Sequence, residues 1–528
     1  MLIHNSLPNY IIIRTAIFFL RSITPLSILY IVIVIPTTIA ISARDPSSRR
    51  TPRIVLPLAL GIYPFAETLF YLLVYLPLKS RLQAPATHPL AYGLKERNLL
   101  FARILGSVTD VRRYLSGWFY GVPVEEISRQ RVKDFVAWSL LNARYEGLTT
   151  EVKGEIDGYV DELQERLGEE LEQGDEGAKP LRTTFDEVRM AHRPLMWYSI
   201  VGLVDTFVHI RMLLGSFDYY RPSLITTLSV FPPRPLALLG QAQKRPGPLA
   251  YWYRPHASTS KLPLVFLHGI GVGLYTYVDF LNSINTSTRG RDKHSPLDEG
   301  QIGLIVVEIL PISARIYAPA LTTPETKAAL HEILESHGWT DFVLVGHSYG
   351  TALASTLLRD PLWTPRIKAT MLMDPICFLL HLPDIAYNFT RRAPHNAAEH
   401  MLQYFSSLDP LISHTLSRRF FWSEYSLWLE DLPSSLPIVI TLSGVDLIVP
   451  VREVGAYLTD GALDGTSEGA SMAKKERDVR EWREGKREVL WFGELNHAGL
   501  FAEKWAREKV AGCVRDLCGE AMGREIST

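Results

Sequence analysis

Gly346-His347-Ser348-Tyr349-Gly350 sets a serine between two glycines, after the apolar run Phe342-Val343-Leu344-Val345 and before Thr351-Ala352-Leu353-Ala354. The apolar run reads as a buried strand and the small-residue stretch after it as a helix. The serine then stands on a sharp strand-to-helix corner with its hydroxyl exposed above a sheet. Gly346 and Gly350 have a steric task there, because a side chain at either position would collide where strand and helix backbones converge. The helix turns the positive end of its dipole toward Ser348, where charge developing on a substrate oxygen is stabilised. The chemistry predicted is nucleophilic attack on a carbonyl.

A serine hydroxyl attacks at neutral pH only with a base in hydrogen-bond reach and an acid that orients the base. His497, in Leu495-Asn496-His497-Ala498-Gly499, follows the last expected strand and precedes the last helix, so its loop can swing an imidazole over the corner. Two carboxylates end strands where they could accept an imidazole N–H. Asp446 is the first choice; Asp374 is the alternative, and before Pro375 it could equally cap a turn. Besides the N–H of Tyr349, a second oxyanion donor is expected from the turn His268-Gly269-Ile270-Gly271-Val272-Gly273, by the N–H of Ile270 or of Gly271. These glycines do not fit a dinucleotide site, since the third comes one residue early for that pattern.

Positioning these groups is the work of the chain from Leu249 onward, where short apolar runs alternate with helical stretches. Strands are expected at 249–254, 262–269, 302–310, 341–348, 367–374, 437–446 and 488–497, the pattern of βα units on a mostly parallel sheet. Through its two glycine-rich turns, the strand-end Asp446, Asn496-His497-Ala498-Gly499 and the order Ser, Asp, His, the stretch from Leu249 to about Gly519 resembles the α/β-hydrolase superfamily. That resemblance implies an α/β-hydrolase fold with a mostly parallel eight-stranded sheet, a Ser348–Asp446–His497 triad, and no metal or organic cofactor. It also places a helical lid at 376–436, whose Phe420-Phe421-Trp422 and neighbouring aromatics form an apolar stripe able to roof a pocket. His381 and His414 within it have no assigned partners. Residues 459–487, rich in glycine, serine and charge, read as an exposed mobile loop between Asp446 and His497.

The first 80 residues have a different texture. Ile23–Ala43 is an uncharged apolar run long enough to cross a bilayer core of roughly 30 Å as a helix. Ile54–Leu78 is of similar length and reads as a second span, although it carries Glu67, costly at bilayer depth unless paired. The first run reads as a retained anchor, because no small-residue cleavage site follows it. Arg44, Arg49, Arg50 and Arg53 between the runs are balanced by Arg14, Arg21, Lys79 and Arg81, so charge leaves the orientation open. Residues 81–245 read as a helical region and linker. Within them Pro194–Ser216 is apolar but holds Asp205, His209 and Arg211, which suits a core or membrane-surface helix. The proline-rich stretch 230–248 reads as a linker, with a domain boundary near residue 245 and a catalytic domain over 246–528. Asn285-Thr286-Ser287 and Asn388-Phe389-Thr390 are glycosylation-type triplets.

Composition narrows the function further. A chain of 528 residues is too long for one ordinary core. Lys and Arg number 55 against 56 Asp and Glu, and no basic stripe interleaved with aromatics appears, which argues against nucleic acid as a partner. Cys377, Cys513 and Cys518 fit neither a disulfide framework nor zinc-ligand spacing. The expectation is a serine hydrolase anchored in an internal membrane, with the bilayer as partner and a lipophilic ester or related acyl compound as substrate. Acyl transfer or carbon–carbon cleavage on the same triad is the enzymatic alternative. A non-catalytic scaffold is the other, and the intact serine, histidine, acid and oxyanion turn count against it.

Overall fold

The computed structural model describes residues 4–44, 52–285, 300–463 and 479–522. Arg49, Arg50, Thr286, Ser287 and the greater part of 459–487 lie outside the described residues.

Six apolar runs make the centre of one sheet: β4 (Leu264–Leu267), β5 (Leu304–Glu308), β6 (Phe342–His347), β7 (Ile367–Met373), β8 (Ile438–Ser443) and β10 (Arg487–Phe492). They run parallel in the order β5-β4-β6-β7-β8-β10. Parallel strands are covered on both faces, and β4, β5, β6 and β8 are accordingly buried along their whole length. Helices Thr323–Ser336 and Tyr349–Leu358 pack on one face, and Val278–Ser283 and Lys504–Met522 on the other. β3 (Ala250–Arg254) joins antiparallel to β5.

Among the described residues the sheet has ten strands rather than the eight expected. Beyond β3 lie β1 (Asp218–Arg221) and the two-residue β2 (Gln241–Ala242). The sheet therefore begins upstream of the boundary placed near residue 245. At the opposite edge β9 (Val479–Glu484) pairs antiparallel with β10, so the end of the stretch read as a mobile loop is a strand. Its Val-Arg-Glu-Trp-Arg-Glu sequence hid it: charged residues suit an edge strand because they discourage pairing with other chains.

The proline-rich stretch is no free linker. Arg234 within it is buried, donating from Nε to Asp205 at 2.9 Å and from Nη1 and Nη2 to Glu308 on β5 at 2.7 and 2.9 Å. Arg315 also reaches Asp205, at 2.5 Å, while Tyr219 Oη and Trp252 Nε1 donate to Glu308. Asp205 belongs to helix Leu195–Leu214, so this closed charge cluster ties that helix to the sheet. The same helix buries His209 against Tyr219 and Trp252 and pairs Arg211 with Asp279. Its ionisable groups thus face protein, while Leu203, Phe207, Ile210 and Leu214 are exposed.

Among the described residues, three helices are long and apolar enough to cross a membrane by length and composition: Leu7–Arg44, Val55–Leu82 and Leu195–Leu214. The first begins well before residue 23, because Arg14 and Arg21 face protein partners: Arg14 lies 3.4 Å from His400 Nε2, and Arg21 sits over the Tyr404 ring. Glu67 is completely buried, accepting from Thr24 Oγ1 at 2.6 Å and the Leu195 N–H at 2.7 Å, with His192 Nε2 at 3.0 Å. These partners remove the objection that its charge raised against the second apolar run.

Between β7 and β8 the chain makes its helical excursion, with helices Pro383–Thr390, Ala397–Leu402, Pro410–Arg418 and Trp422–Tyr425. Trp428 from this excursion shares a core with Trp118, Phe135, Trp138 and Val160 of the upstream helical region.

Candidate active site

Ser348 follows β6 directly and caps helix Tyr349–Leu358 in a backbone conformation of φ 50° and ψ −119°. Positive φ in a non-glycine residue is strained, and the two flanking glycines relieve the crowding it creates. A Cβ on Gly350 would lie 2.0 Å from the Leu267 carbonyl oxygen on β4, and one on Gly346 would lie 2.9 Å from the Gly350 oxygen. As first residue of its helix, Tyr349 has no intrahelical acceptor for its N–H. In the turn after β4, the Gly271 N–H is committed to Ile312 O at 3.2 Å. Among the described residues no hydrogen bond takes the Ile270 N–H, which leaves it, and not Gly271, available to a substrate oxygen.

His497 and Asp446 arrive from the loops after β10 and β8, neighbouring parallel strands whose C-terminal ends lie together. His497 Nε2 stands 2.8 Å from Ser348 Oγ, and Nδ1 stands 2.6 Å from Asp446 Oδ2. The other Asp446 oxygen accepts the N–H groups of Ile448 and Val449 at 2.7 and 3.0 Å, fixing the carboxylate. Burial disfavours the charged imidazole, but the charge and hydrogen bond of Asp446, with the charge of Asp374, outweigh it and hold the pKa of His497 above its ordinary value.

Asp374 makes a different contact. Its Oδ2 accepts the N–H of Ala498 at 2.8 Å, so it grips the loop next to His497, while its Oδ1 has no partner among the described residues. Asp374, Asp446 and His497 bring potential ligand atoms within 4.8 Å of one another. Both nitrogens of His497 are already engaged by Asp446 and Ser348, an arrangement that orients an imidazole.

Sequence reasoning missed the layer beneath. Tyr277 Oη accepts the Gly269 N–H at 3.0 Å and lies 2.8 Å from His347 Nδ1, while His347 Nε2 lies 3.4 Å from Asp374 Oδ2. Burial holds His347 below its ordinary pKa. With Nδ1 accepting from Tyr277, its Nε2–H points to Asp374. A continuous hydrogen-bonded line thus joins the glycine turn, the residue before Ser348 and the His497 loop. Nothing in local spacing announces Tyr277; its position eight residues after Gly269 acquires meaning only in the fold. Replacing Tyr277 by phenylalanine strands two buried polar groups and is expected to cost about 1–3 kcal/mol of stability. A chemical-denaturation midpoint equal to that of the wild type would contradict this.

Ser348, Ile270 and Tyr349 open on a cavity whose lining includes no charged side chain. The excursion between β7 and β8 contributes Leu380, Phe389, Phe420 and Trp422 to its walls.

Residues 263–436 match the family model described as alpha/beta hydrolase fold. The match covers the stretch from just before β4 to just before β8 and includes Ser348, with Asp446 and His497 beyond it. The fold is that of the α/β-hydrolase class of enzymes, the family whose model residues 263–436 match. Solved structures similar to it include a membrane phospholipase A described as a bacterial virulence factor, at 9% identity, covering 62% of this chain and 94% of that one with a TM-score of 0.36. A putative lipase from Acinetobacter baumannii is 11% identical, covering 60% and 96%, with a TM-score of 0.36. The carboxylesterase CesB from Bacillus subtilis is 12% identical, covering 61% and 99%, with a TM-score of 0.35. No curated protein matches the sequence.

Proposed function

We propose that the chain is a membrane-associated serine hydrolase that cleaves a lipophilic carboxylic ester or related acyl compound through an acyl-enzyme on Ser348. The observation that carries this reading is the hydrogen-bonded line Asp446–His497–Ser348 at the mouth of an uncharged cavity. Ser348 Oγ bonds to the carbonyl carbon as its proton passes to His497 Nε2, and the C=O electron pair moves onto an oxygen held by the N–H groups of Ile270 and Tyr349. Collapse breaks the bond to the leaving alcohol, which takes the proton from His497. Water, giving a proton to His497, then attacks the acyl carbon, and the returning proton restores Ser348 as the acid departs.

A lipophilic substrate is favoured by the apolar walls, with residues 376–436 acting as the lid over them. Membrane association is supported by helices Leu7–Arg44 and Val55–Leu82, with spans at 23–43 and 54–78 and Glu67 held by hydrogen bonds from Thr24 and Leu195. The exposed face of Leu195–Leu214 then rests on the bilayer surface, since its polar side is consumed by protein.

Labelling with a fluorophosphonate probe tests the reading. The wild type is expected to be labelled and Ser348→Ala to lose the label. A folded wild type that takes up no probe, or a variant labelled equally, would overturn it.

A further inference from the structure

The cavity over Ser348 is not closed by the catalytic domain alone. Trp118, Trp138, Asn142, Thr183 and Thr184, all from the upstream helical region, line it together with Ser348 and Ile270. They precede β4 by 80 residues or more, and neither the motifs nor the family match reaches them.

This wall is firmly built. Trp138 donates from Nε1 to Thr184 Oγ1 at 2.8 Å, and the same hydroxyl lies 3.1 Å from His88 Nε2. Trp118 donates to the His381 carbonyl at 3.1 Å, and its own carbonyl accepts the Leu181 N–H at 2.8 Å. The two indoles pack edge to face, with centroids 5.6 Å apart. From the excursion, Arg418 clamps the wall in place through the carbonyls of Ala84, Thr184 and Asp186 at 2.8, 3.2 and 2.9 Å. Because both indole N–H groups are spent on protein, the rings offer a ligand only apolar surface. Such a surface suits hydrocarbon and gives no counter-charge to a polar headgroup.

We propose that the upstream region forms the acyl-chain subsite: Trp118, Trp138 and Thr183 bound the end of the cavity that receives an aliphatic acyl chain and so set the chain length accepted. The proposal rests on the serine-hydrolase reading for the position of the acyl carbon. The 81–245 region is on this view a specificity element and not a spacer between membrane and catalyst.

The test uses the full-length chain in nanodiscs with Thr183→Phe, which adds bulk to the wall without removing a recorded hydrogen bond, and Trp138→Leu, which opens it. For p-nitrophenyl esters, the ratio of kcat/KM for dodecanoyl to that for acetyl is expected to fall about tenfold or more in Thr183→Phe, the scale on which apolar pockets discriminate chain length. In Trp138→Leu the preferred chain is expected to lengthen. Binding of a fluorescent dodecanoic acid analogue to Ser348→Ala, with and without Thr183→Phe, supplies a readout independent of turnover and is expected to weaken by a similar factor. Unchanged ratios and unchanged binding in folded Thr183→Phe overturn the subsite even if the wild type takes the fluorophosphonate label. Weakened binding with no labelling of the wild type supports the subsite and overturns only the hydrolase reading. If Trp138→Leu does not fold, the Thr183→Phe measurements decide alone.

Discussion

Asp446→Asn is expected to lower kcat/KM for an ester by about 10⁴, whereas Asp374→Asn lowers it on the order of tenfold or less. The difference follows from what each carboxylate touches. Asp446 Oδ2 sits 2.6 Å from His497 Nδ1 and selects the tautomer whose Nε2 can accept the Ser348 proton. An asparagine amide there could donate to Nδ1 and trap the opposite tautomer. Asp374 holds the Ala498 N–H, and an asparagine oxygen still accepts that bond. The pH profile gives a second reading of the same variants. His497 must be neutral to act as base, and its pKa lies above the ordinary imidazole value of about 6.5. Activity in the wild type is therefore lost as pH falls through a midpoint above that value. Removing the Asp446 charge leaves the burial penalty unopposed by its largest counterweight, so the midpoint of the residual activity moves down. Equal losses in the two variants, or a midpoint that stays put in Asp446→Asn, would contradict the assignment of the orienting acid.

The second large effect concerns folding. Arg234→Met is expected to destabilise the protein by about 3–5 kcal/mol, because it removes a buried cation and leaves Glu308 and Asp205 without their principal partner. The cost is that of stranded charge and not the net worth of the pairs, which desolvation largely cancels. Arg245, mostly exposed, makes a single bond to Glu332 at 2.9 Å. Arg245→Met is expected to change stability by less than about 1 kcal/mol. Thermal unfolding in detergent separates the two, with a fall of roughly 3–5 °C for Arg234→Met and no resolvable shift for Arg245→Met. Similar melting points for both variants would show that the cluster does not join helix Leu195–Leu214 to the sheet.

The elements legible in the chain were those with a strong local signature. Seven expected strands coincide with β3, β4, β5, β6, β7, β8 and β10, because the six parallel strands and the buried antiparallel β3 are largely apolar runs. The strands that escaped are at the edges. β1 is four residues long, directly after an apolar helix, and β9 is mostly charged; neither carries the pattern of a strand covered on both faces. The proline-rich stretch read as a linker for its composition, yet Arg234 makes it part of the core through residues far away in sequence.

By itself the sequence determined the corner at Ser348, since two glycines and an apolar run dictate local sterics wherever the chain goes. It also narrowed the other site candidates to strand ends, which is a local property. Only the tertiary structure decided between Asp446 and Asp374 as the residue beside His497 Nδ1. Both end parallel strands, and which carboxylate reaches the imidazole depends on how β7, β8 and β10 lie side by side. Likewise only the fold brought Tyr277 under the glycine turn and Trp118 and Trp138 to the cavity over Ser348. The physical reason is common to these cases: periodicity and turn chemistry are written within a few residues, whereas a hydrogen bond or a cavity wall between distant segments has no local signature.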